Sequence, residues 1–410
     1  MMQTALVNEQ IETPERWKIL ALATLTNTLV VAAPIMALPV LFEEISSDIH
    51  LNLVQVGVVW GISALPGIIT GMLGGALGDR IGPRRVILAG CLLTGLFGIL
   101  RGLAVDFVTL AAVMFLAGFI GPFVPMNTMK LSVTWFPRRQ LGLASGVLSM
   151  GMALGFLTGS MFSATVLSPW LGGWRHVLFF YAGIALVLCV PWIFIKPYPG
   201  AQRGSIQEGN QTTLRQAVGF ILRKRNIWLL GFGLLGIGGC IQGTLGYLPL
   251  YLRGLGWSAV GADGALAAFH TISMICVVPI ALLSDRLRSR RKVLLPAAVA
   301  VIVGVGLLSV TQGFAVWIAV CLAGFVRDGF MAVFMTSVIE TDGVGIPFAG
   351  TATGVTMFFS GLGNLLAPPL GNSLAEVTPG LPFAFWAFLA ALGLVSLTLR
   401  KESVLKEVHP

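Results

Sequence analysis

Two ionisable residues stand side by side in an otherwise apolar stretch of this 410-residue chain, Arg327 and Asp328. About 13 apolar or small residues flank the pair on either side, and at a rise of 1.5 Å per residue that places it near the centre of a bilayer-spanning helix. A charge at that depth costs about 2.5 to 3.5 kcal/mol on insertion scales and cannot extend to water, so its presence asks for a reason. The planar fork of arginine suits a carboxylate or another oxyanion, and Arg327 is therefore read as an anion-binding residue. Asp328 either tunes that charge or takes up and releases a proton during a working cycle. The plainer alternative is an ion pair that neutralises itself. Adjacent positions on a helix diverge by about 100°, so both side chains cannot face one ligand equally.

Other polar groups lie in apolar runs of the same kind. Lys130 follows Pro122, Pro125 and Asn127 and has two readings: it lines a cavity with Asn127, or it extends to the membrane surface. Asn27, Gln242, Tyr247 and Asn364 complete a plausible substrate pocket, although any one of them also serves as a hydrogen bond between helices. His270 carries the side chain that titrates nearest neutrality and is a candidate coupling group beside Asp328. Arg101 is read as an interfacial anchor with Asp106 as its partner. His50, His176, His270 and His409 are scattered, with no cysteine or carboxylate at ligand spacing, so no metal and no cofactor is expected. Cys91, Cys189, Cys240, Cys276 and Cys321 all sit in apolar runs and read as small packing side chains.

These positions demand a membrane. Hydrophobic residues make up 56% of the chain and charged ones only 10%, where soluble domains carry roughly a quarter charged. Apolar runs fall at about 19–42, 53–77, 86–105, 107–133, 143–167 and 176–195, then about 227–252, 262–284, 293–312, 314–340, 349–372 and 380–399. The polar stretch 196–225 divides them, which predicts an all-α membrane protein with six spans in residues 1–195, a linker at 196–225 and six spans in 226–410. The N-terminal run is full length and follows Glu9, Glu12 and Glu15, so it reads as a first span and not as a cleaved leader. Arg16, Lys18, Arg80, Arg84, Arg85, Arg138, Arg139, Arg286, Arg288, Arg290, Arg291, Lys292, Arg400, Lys401 and Lys406 fall on one side of that arrangement. That side is expected to be cytoplasmic, with both termini, in a cell membrane. The net charge of +9 is then accounted for by anionic lipid, with no nucleic-acid partner.

The two halves repeat. Gly78-Asp79-Arg80-Ile81-Gly82-Pro83-Arg84-Arg85 returns as Ser284-Asp285-Arg286-Leu287-Arg288-Ser289-Arg290-Arg291, 206 positions later, and Leu116-Ala117-Gly118-Phe119 returns as Leu322-Ala323-Gly324-Phe325 at the same offset. One offset shared by two separate patches indicates a duplicated six-helix unit, an architecture that places a substrate site at the midplane between the halves.

The stretch from Gly74 to Arg85 resembles the signature loop of the major facilitator superfamily, and the counterpart from Asp285 to Lys292 strengthens the likeness, which covers essentially the whole chain. Gly71, Gly74, Gly75 and Gly78 suit a close helix approach. The resemblance implies a conformational latch of Asp79, Arg80, Arg84 and Arg85 with Asp285, Arg286, Arg290 and Arg291, in which Asp79 meets the start of the eleventh span and Asp285 the start of the fifth. Drug antiporters of the superfamily carry an arginine four residues before a fourth-span glycine and a Gly-Pro pair in the fifth span. Here Met114 precedes Gly118, and Phe156 stands where the proline would be. The ladder Gly146, Gly151, Gly155, Gly159 reads as a packing surface. The run Trp135-Phe136-Pro137-Arg138-Arg139, with Gly142 to Gly146, resembles stretches of anion and carboxylate carriers.

The function expected is secondary transport of a small anion by alternating access, in symport with a proton or sodium, by a monomer. Proton-coupled export of amphipathic drugs or metabolites is the alternative. An enzyme is not expected, since no nucleophile and base pair or phosphate loop is visible. A receptor that has lost transport has no appended domain to support it.

Overall fold

The computed structural model describes residues 15–195, 214–287 and 289–400. Glu9, Glu12, Arg288, Lys401, Lys406, His409 and linker residues 196–213 lie outside the described residues, as do the side chains of Gly71, Gly74, Gly75 and Arg138.

Among the described residues, eleven helices are long and apolar enough to cross a membrane: Glu15–Asp48, Leu53–Thr70, Pro83–Gly102, Phe107–Trp135, Leu141–Leu171, Trp174–Phe194, Arg225–Gly254, Ala259–Arg286, Arg291–Leu308, Ala315–Ile339 and Leu381–Thr398. The second of these continues as a helix to Ile81. The remaining expected span, eleventh in order, is the 29-residue helix Gly345–Ser373, which is rich in Gly, Thr, Ser, Asn and Pro and is not among those eleven. Linker residues Leu214–Leu222 form a short helix, and Phe220 rests on Phe348 at the start of the eleventh span with ring centroids 4.9 Å apart.

The duplication extends to individual contacts. A Cβ on Gly118 would collide with the Ser63 carbonyl and with Pro66, and one on Gly324 would collide with the Phe269 carbonyl and Ile272. The contacted positions are again 206 apart. Just past each glycine the helix breaks. The fourth span runs Phe107–Gly118 and then Phe123–Trp135, and the tenth runs Ala315–Gly324 and then Arg327–Ile339. Such breaks are tolerated at membrane depth where protein surrounds them.

The fifth-span glycines pack where expected at three of four positions. Gly151, Gly155 and Gly159 lie against Thr24, Thr28, Ala32 and Ala33 of the first span, while Gly146 has nothing near it. Thr28 donates to the Gly151 carbonyl at 2.8 Å, and the first span takes wider π-helical turns at Asn27–Ala32.

At the end away from the loops at 78–85 and 284–292, the halves are joined. Arg253 donates to the Val40 carbonyl at 2.7 Å and approaches Glu43 at 3.3 Å. Asn372 donates to the Leu53 carbonyl at 2.9 Å, and Trp60 to the Gln242 carbonyl at 2.8 Å. Gly57 faces the backbone of Pro368 and Pro369 so closely that a Cβ there would have no room.

Candidate functional site

The break in the tenth span frees backbone N–H groups at the start of its second half, and one is that of Asp328. Ser273 of the eighth span accepts from it at 3.1 Å and donates to the Asp328 carboxylate at 2.8 Å. Asp328 is thereby pinned, and its other oxygen lies 3.2 Å from Nη1 of Arg327. That contact lacks hydrogen-bond geometry, since Nη1 is buried without a hydrogen-bond partner. The side chain of Arg327 is 21% exposed, so its neighbouring acid does not seal it. Its guanidinium carbon stands 5.4 Å from the ring centroid of Phe156, which belongs to the fifth span and so to the other half. The imidazole of His270 lies 5.3 Å from the same ring and 5.7 Å from Phe269. His270 is 2% exposed, with no partner for either ring nitrogen. Asp328 therefore adjoins Arg327, and His270 shares the ring of Phe156 with it.

A cavity of about 850 Å³ lies on the other flank of the interface between the halves. Its wall comes from the second span (Ala64, Gly67, Ile68), the fourth (Pro122, Met126) and the eleventh, from Ala349 to Asn364. The second- and fourth-span positions are telling. Ala64, Gly67 and Pro122 precede His270, Ser273 and Asp328 by 206 residues each, so the wall of the cavity and the charged cluster are counterparts across the duplication.

Asn364 is the predicted pocket residue that lines this cavity. The others lie elsewhere. Asn27 is buried and accepts from Thr128 at 3.2 Å, joining the first span to the fourth. Asn127 donates to the Phe123 carbonyl at 2.8 Å and packs against Gly78. Gln242 meets the second span through its backbone carbonyl. Tyr247 is 4% exposed, hydrogen-bonds the Pro379 carbonyl at 3.2 Å and packs among Tyr251, Phe383 and Trp386 inside the C-terminal half. Sequence shows that these residues are in membrane spans; helix rotation turns the side chains of Asn27, Asn127 and Tyr247 to neighbouring helices or their own backbone.

Lys130 extends to the loop end of the fourth span and salt-bridges the exposed Asp79 at 2.6 Å. The expected latch partners differ. Asp79 is held by the fourth span of its own half, and Asp285 is held by Arg290 at 2.6 Å in its own half. Arg290 also makes two bonds to Glu340, of 3.0 and 3.1 Å, and one to Ser284 at 3.0 Å. The Glu340 carboxylate, and after it that of Asp285, raises the Arg290 pKa above its ordinary value. Arg84 donates to the carbonyls of Trp192 and Ile193, and Arg291 to those of Thr398 and Arg400, each bracing a loop on the last span of its half. Arg80, Arg85 and Arg286 are exposed.

Asp106, expected to pair with Arg101, instead caps the fourth span by accepting from the Thr109 amide at 2.8 Å. Phe156 is the residue that sequence reasoning missed. Its departure from the antiporter pattern was the available signal.

The sequence pattern of the Major Facilitator Superfamily matches residues 20–368. Among similar proteins, the cis,cis-muconate transport protein of Acinetobacter baylyi is 27% identical over 67% of this chain and 68% of its own length. A probable nitrate/nitrite antiporter of Thermus thermophilus is 26% identical over 96% of this chain and 93% of its own. A multidrug resistance protein of Escherichia coli O1:K1 is 34% identical over 37% of this chain and 36% of its own. The crystal structure of the nucleoside transporter NupG superposes with a TM-score of 0.75 at 14% identity, over 93% of this chain and 98% of its own.

Proposed function

The chain belongs to the Major Facilitator Superfamily and is a multi-pass membrane transporter of a small molecule, and on that premise we propose that its substrate is a small anion carried by alternating access in symport with protons. The observation that carries this reading is the guanidinium of Arg327, held at the break in the tenth span, one-fifth exposed, paired with Asp328 at 3.2 Å and without a hydrogen bond at its buried Nη1. The relatives named for muconate and for nitrate/nitrite support the same class. Asp328 is the carboxylate placed to exchange the coupling proton, because it adjoins both the anion-binding charge and the hydroxyl of Ser273.

The loop end, where the positive charge gathers, is assigned to the cytoplasm, with residues 1–195 and 226–410 as the moving bodies and 196–225 as their linker. The halves are joined at the opposite end in this structure, while Asp79 and Asp285 at the loop end each pair within their own half. Asp79 and Asp285 engage the eleventh and fifth spans of the other half only when that end closes. The alternative, export of amphipathic compounds, draws on the multidrug relative and on the apolar wall that Ala64, Ile68, Pro122 and Met126 give the large cavity opposite the more polar eleventh span.

Uptake into sealed proteoliposomes, with muconate, nitrate, a neutral nucleoside and a lipophilic cation under imposed pH gradients, tests the reading. Anion uptake driven by an inward proton gradient is expected, and Arg327→Ala should weaken anion affinity about 10-fold to 100-fold, the range for a charge-assisted hydrogen bond. Uptake of the cation alone, or anion uptake at normal affinity in Arg327→Ala, overturns it.

A further inference from the structure

His270 is a polar side chain in a place that gives it nothing to bond. The eighth span carries it to the centre of the protein, where it is 2% exposed, flanked by Phe269 of its own helix and by Phe156 of the opposite half. Both ring nitrogens lack partners. A neutral imidazole has one N–H donor and one acceptor nitrogen, and burying both unpaired is costly to folding. A sequence selected for packing alone would place an apolar residue there. The duplicated half does so, since the counterpart position is Ala64.

Arg327 shows the same deficit on the neighbouring span. Its Nη1 is buried without a hydrogen bond, although Asp328 lies 3.2 Å away. Phe156 adjoins both groups, 5.4 Å from the guanidinium and 5.3 Å from the imidazole. An orphaned donor on the eighth span and another on the tenth thus meet one aromatic wall contributed by the other bundle. Arg327 is the charged group within electrostatic reach of His270, and Asp328, bound to Ser273, adjoins Arg327 in turn.

We infer that His270 is a binding residue for the transported anion: its N–H and Nη1 of Arg327 donate to the same oxyanion, with the ring of Phe156 as the wall that closes the seat. This rests on the anion reading above and gives His270 a part different from carrying the coupling proton. The class of ligand is a compact oxyanion group, a carboxylate or an inorganic oxyanion, able to accept two hydrogen bonds from converging directions. Each donor is satisfied only when the anion is present, so the empty site stores a folding cost that binding relieves. Because Phe156 moves with the opposite bundle, the seat is complete only while the fifth span lies against the eighth and tenth, and affinity for the anion differs between the two orientations of the transporter.

The test uses the full-length protein in lipid nanodiscs, with muconate and nitrate as probe anions, and measures dissociation constants and thermal unfolding for wild type, His270→Leu, His270→Gln, Arg327→Ala and the His270→Leu/Arg327→Ala double variant. His270→Leu should weaken binding of the anion about tenfold, the worth of one hydrogen bond to a charged group, and should raise the unfolding temperature of the empty protein, because it removes unpaired buried atoms. His270→Gln, which keeps an N–H but cannot titrate, should bind within about threefold of wild type. The double variant should lose less than the product of the single losses, as for two groups holding one ligand. Unchanged affinity in His270→Leu with a lowered unfolding temperature marks a packing residue and overturns the inference, as does loss of affinity in His270→Gln equal to that in His270→Leu. Binding that ignores Arg327→Ala but falls in His270→Leu defeats the earlier reading of Arg327 and leaves His270 as the anion's donor. Failure of both anions to bind wild type overturns both readings together.

Discussion

The fourth and tenth spans are copies of one element put to different use. Each runs to a glycine in the sequence Leu-Ala-Gly-Phe, presses it against the same register of a neighbouring span, and breaks there. Beyond the break one copy continues with Gly121 and Pro122, the other with Arg327 and Asp328. On the first flank Pro122, Ala64 and Gly67 leave a cavity of about 850 Å³. On the second, Asp328, Ser273 and His270 fill the matching space with polar groups, and Phe156 reaches across to meet them. Duplication preserves the backbone because a close helix contact admits only glycine, whereas side chains that face the interface are free to diverge. The two flanks of the interface between the halves are thus asymmetric, an uncharged cavity on one and a charged cluster on the other.

The comparison breaks most visibly at the shared contact. Gly118→Ala and Gly324→Ala should each destabilise the protein by about 1–3 kcal/mol, the usual cost of overpacking, since the opposing atoms include rigid backbone carbonyls. Gly118→Ala is expected to cost more, because its Cβ would sit closer to the Ser63 carbonyl than that of residue 324 would to Phe269. Thermal unfolding in detergent measures both. Unequal effects in the reverse order would mean that the repeat ends at the sequence.

A second effect, which reaches the same range in one loop only, separates the two loops. Arg290 gathers Asp285, Glu340 and Ser284 and is 19% exposed, while Lys130 and Asp79 form a pair that is 31% and 73% exposed. Replacing Arg290 with alanine should cost about 1–3 kcal/mol, because it removes hydrogen bonds between charged groups. Lys130→Ala should cost about 0.2–1 kcal/mol, as exposed pairs do, and its effect should fade in high salt. Equal losses would remove the distinction.

The smallest effect concerns the starts of the same two spans. Asp106 caps the fourth through the Thr109 amide, its foremost cause of a lowered pKa, whereas the tenth begins after Phe314 with no side-chain cap. A carboxylate with a depressed pKa contributes stability above its unfolded value and loses it as pH falls through the folded value. Hydrogen exchange at residues 107–110 should therefore quicken on acidification below the ordinary carboxylate range, with residues 315–318 unmoved by comparison. Equal quickening at both would argue against the cap.

Much of this was legible in the residues. Apolar run lengths located the spans, and the offset of 206 revealed the duplication whose contacts the structure repeats. Glycine spacing in the fifth span marked a packing face, which the structure sets against the first span at Gly151, Gly155 and Gly159. The isolated charges at 327 and 328 pointed to the polar cluster because their cost in lipid does not depend on knowing their neighbours. Lys130, Asn27, Asn127 and Tyr247 were harder, because a polar residue in a span can turn toward a cavity or toward another helix, and sequence spacing within one helix does not distinguish the two. The pairing of Lys130 with Asp79 joins residues 51 apart in sequence, and the meeting of Phe156 with Arg327 crosses between the halves.

The sequence by itself determined which segments enter the membrane, how many there are and that they come in two related sets, because hydrophobicity and repetition are properties read along the chain. Only the tertiary structure decided which polar groups find partners and which, like the ring nitrogens of His270, are left without one. That outcome depends on how each helix is rotated and how closely it approaches the next, and those are set by packing summed over the whole bundle.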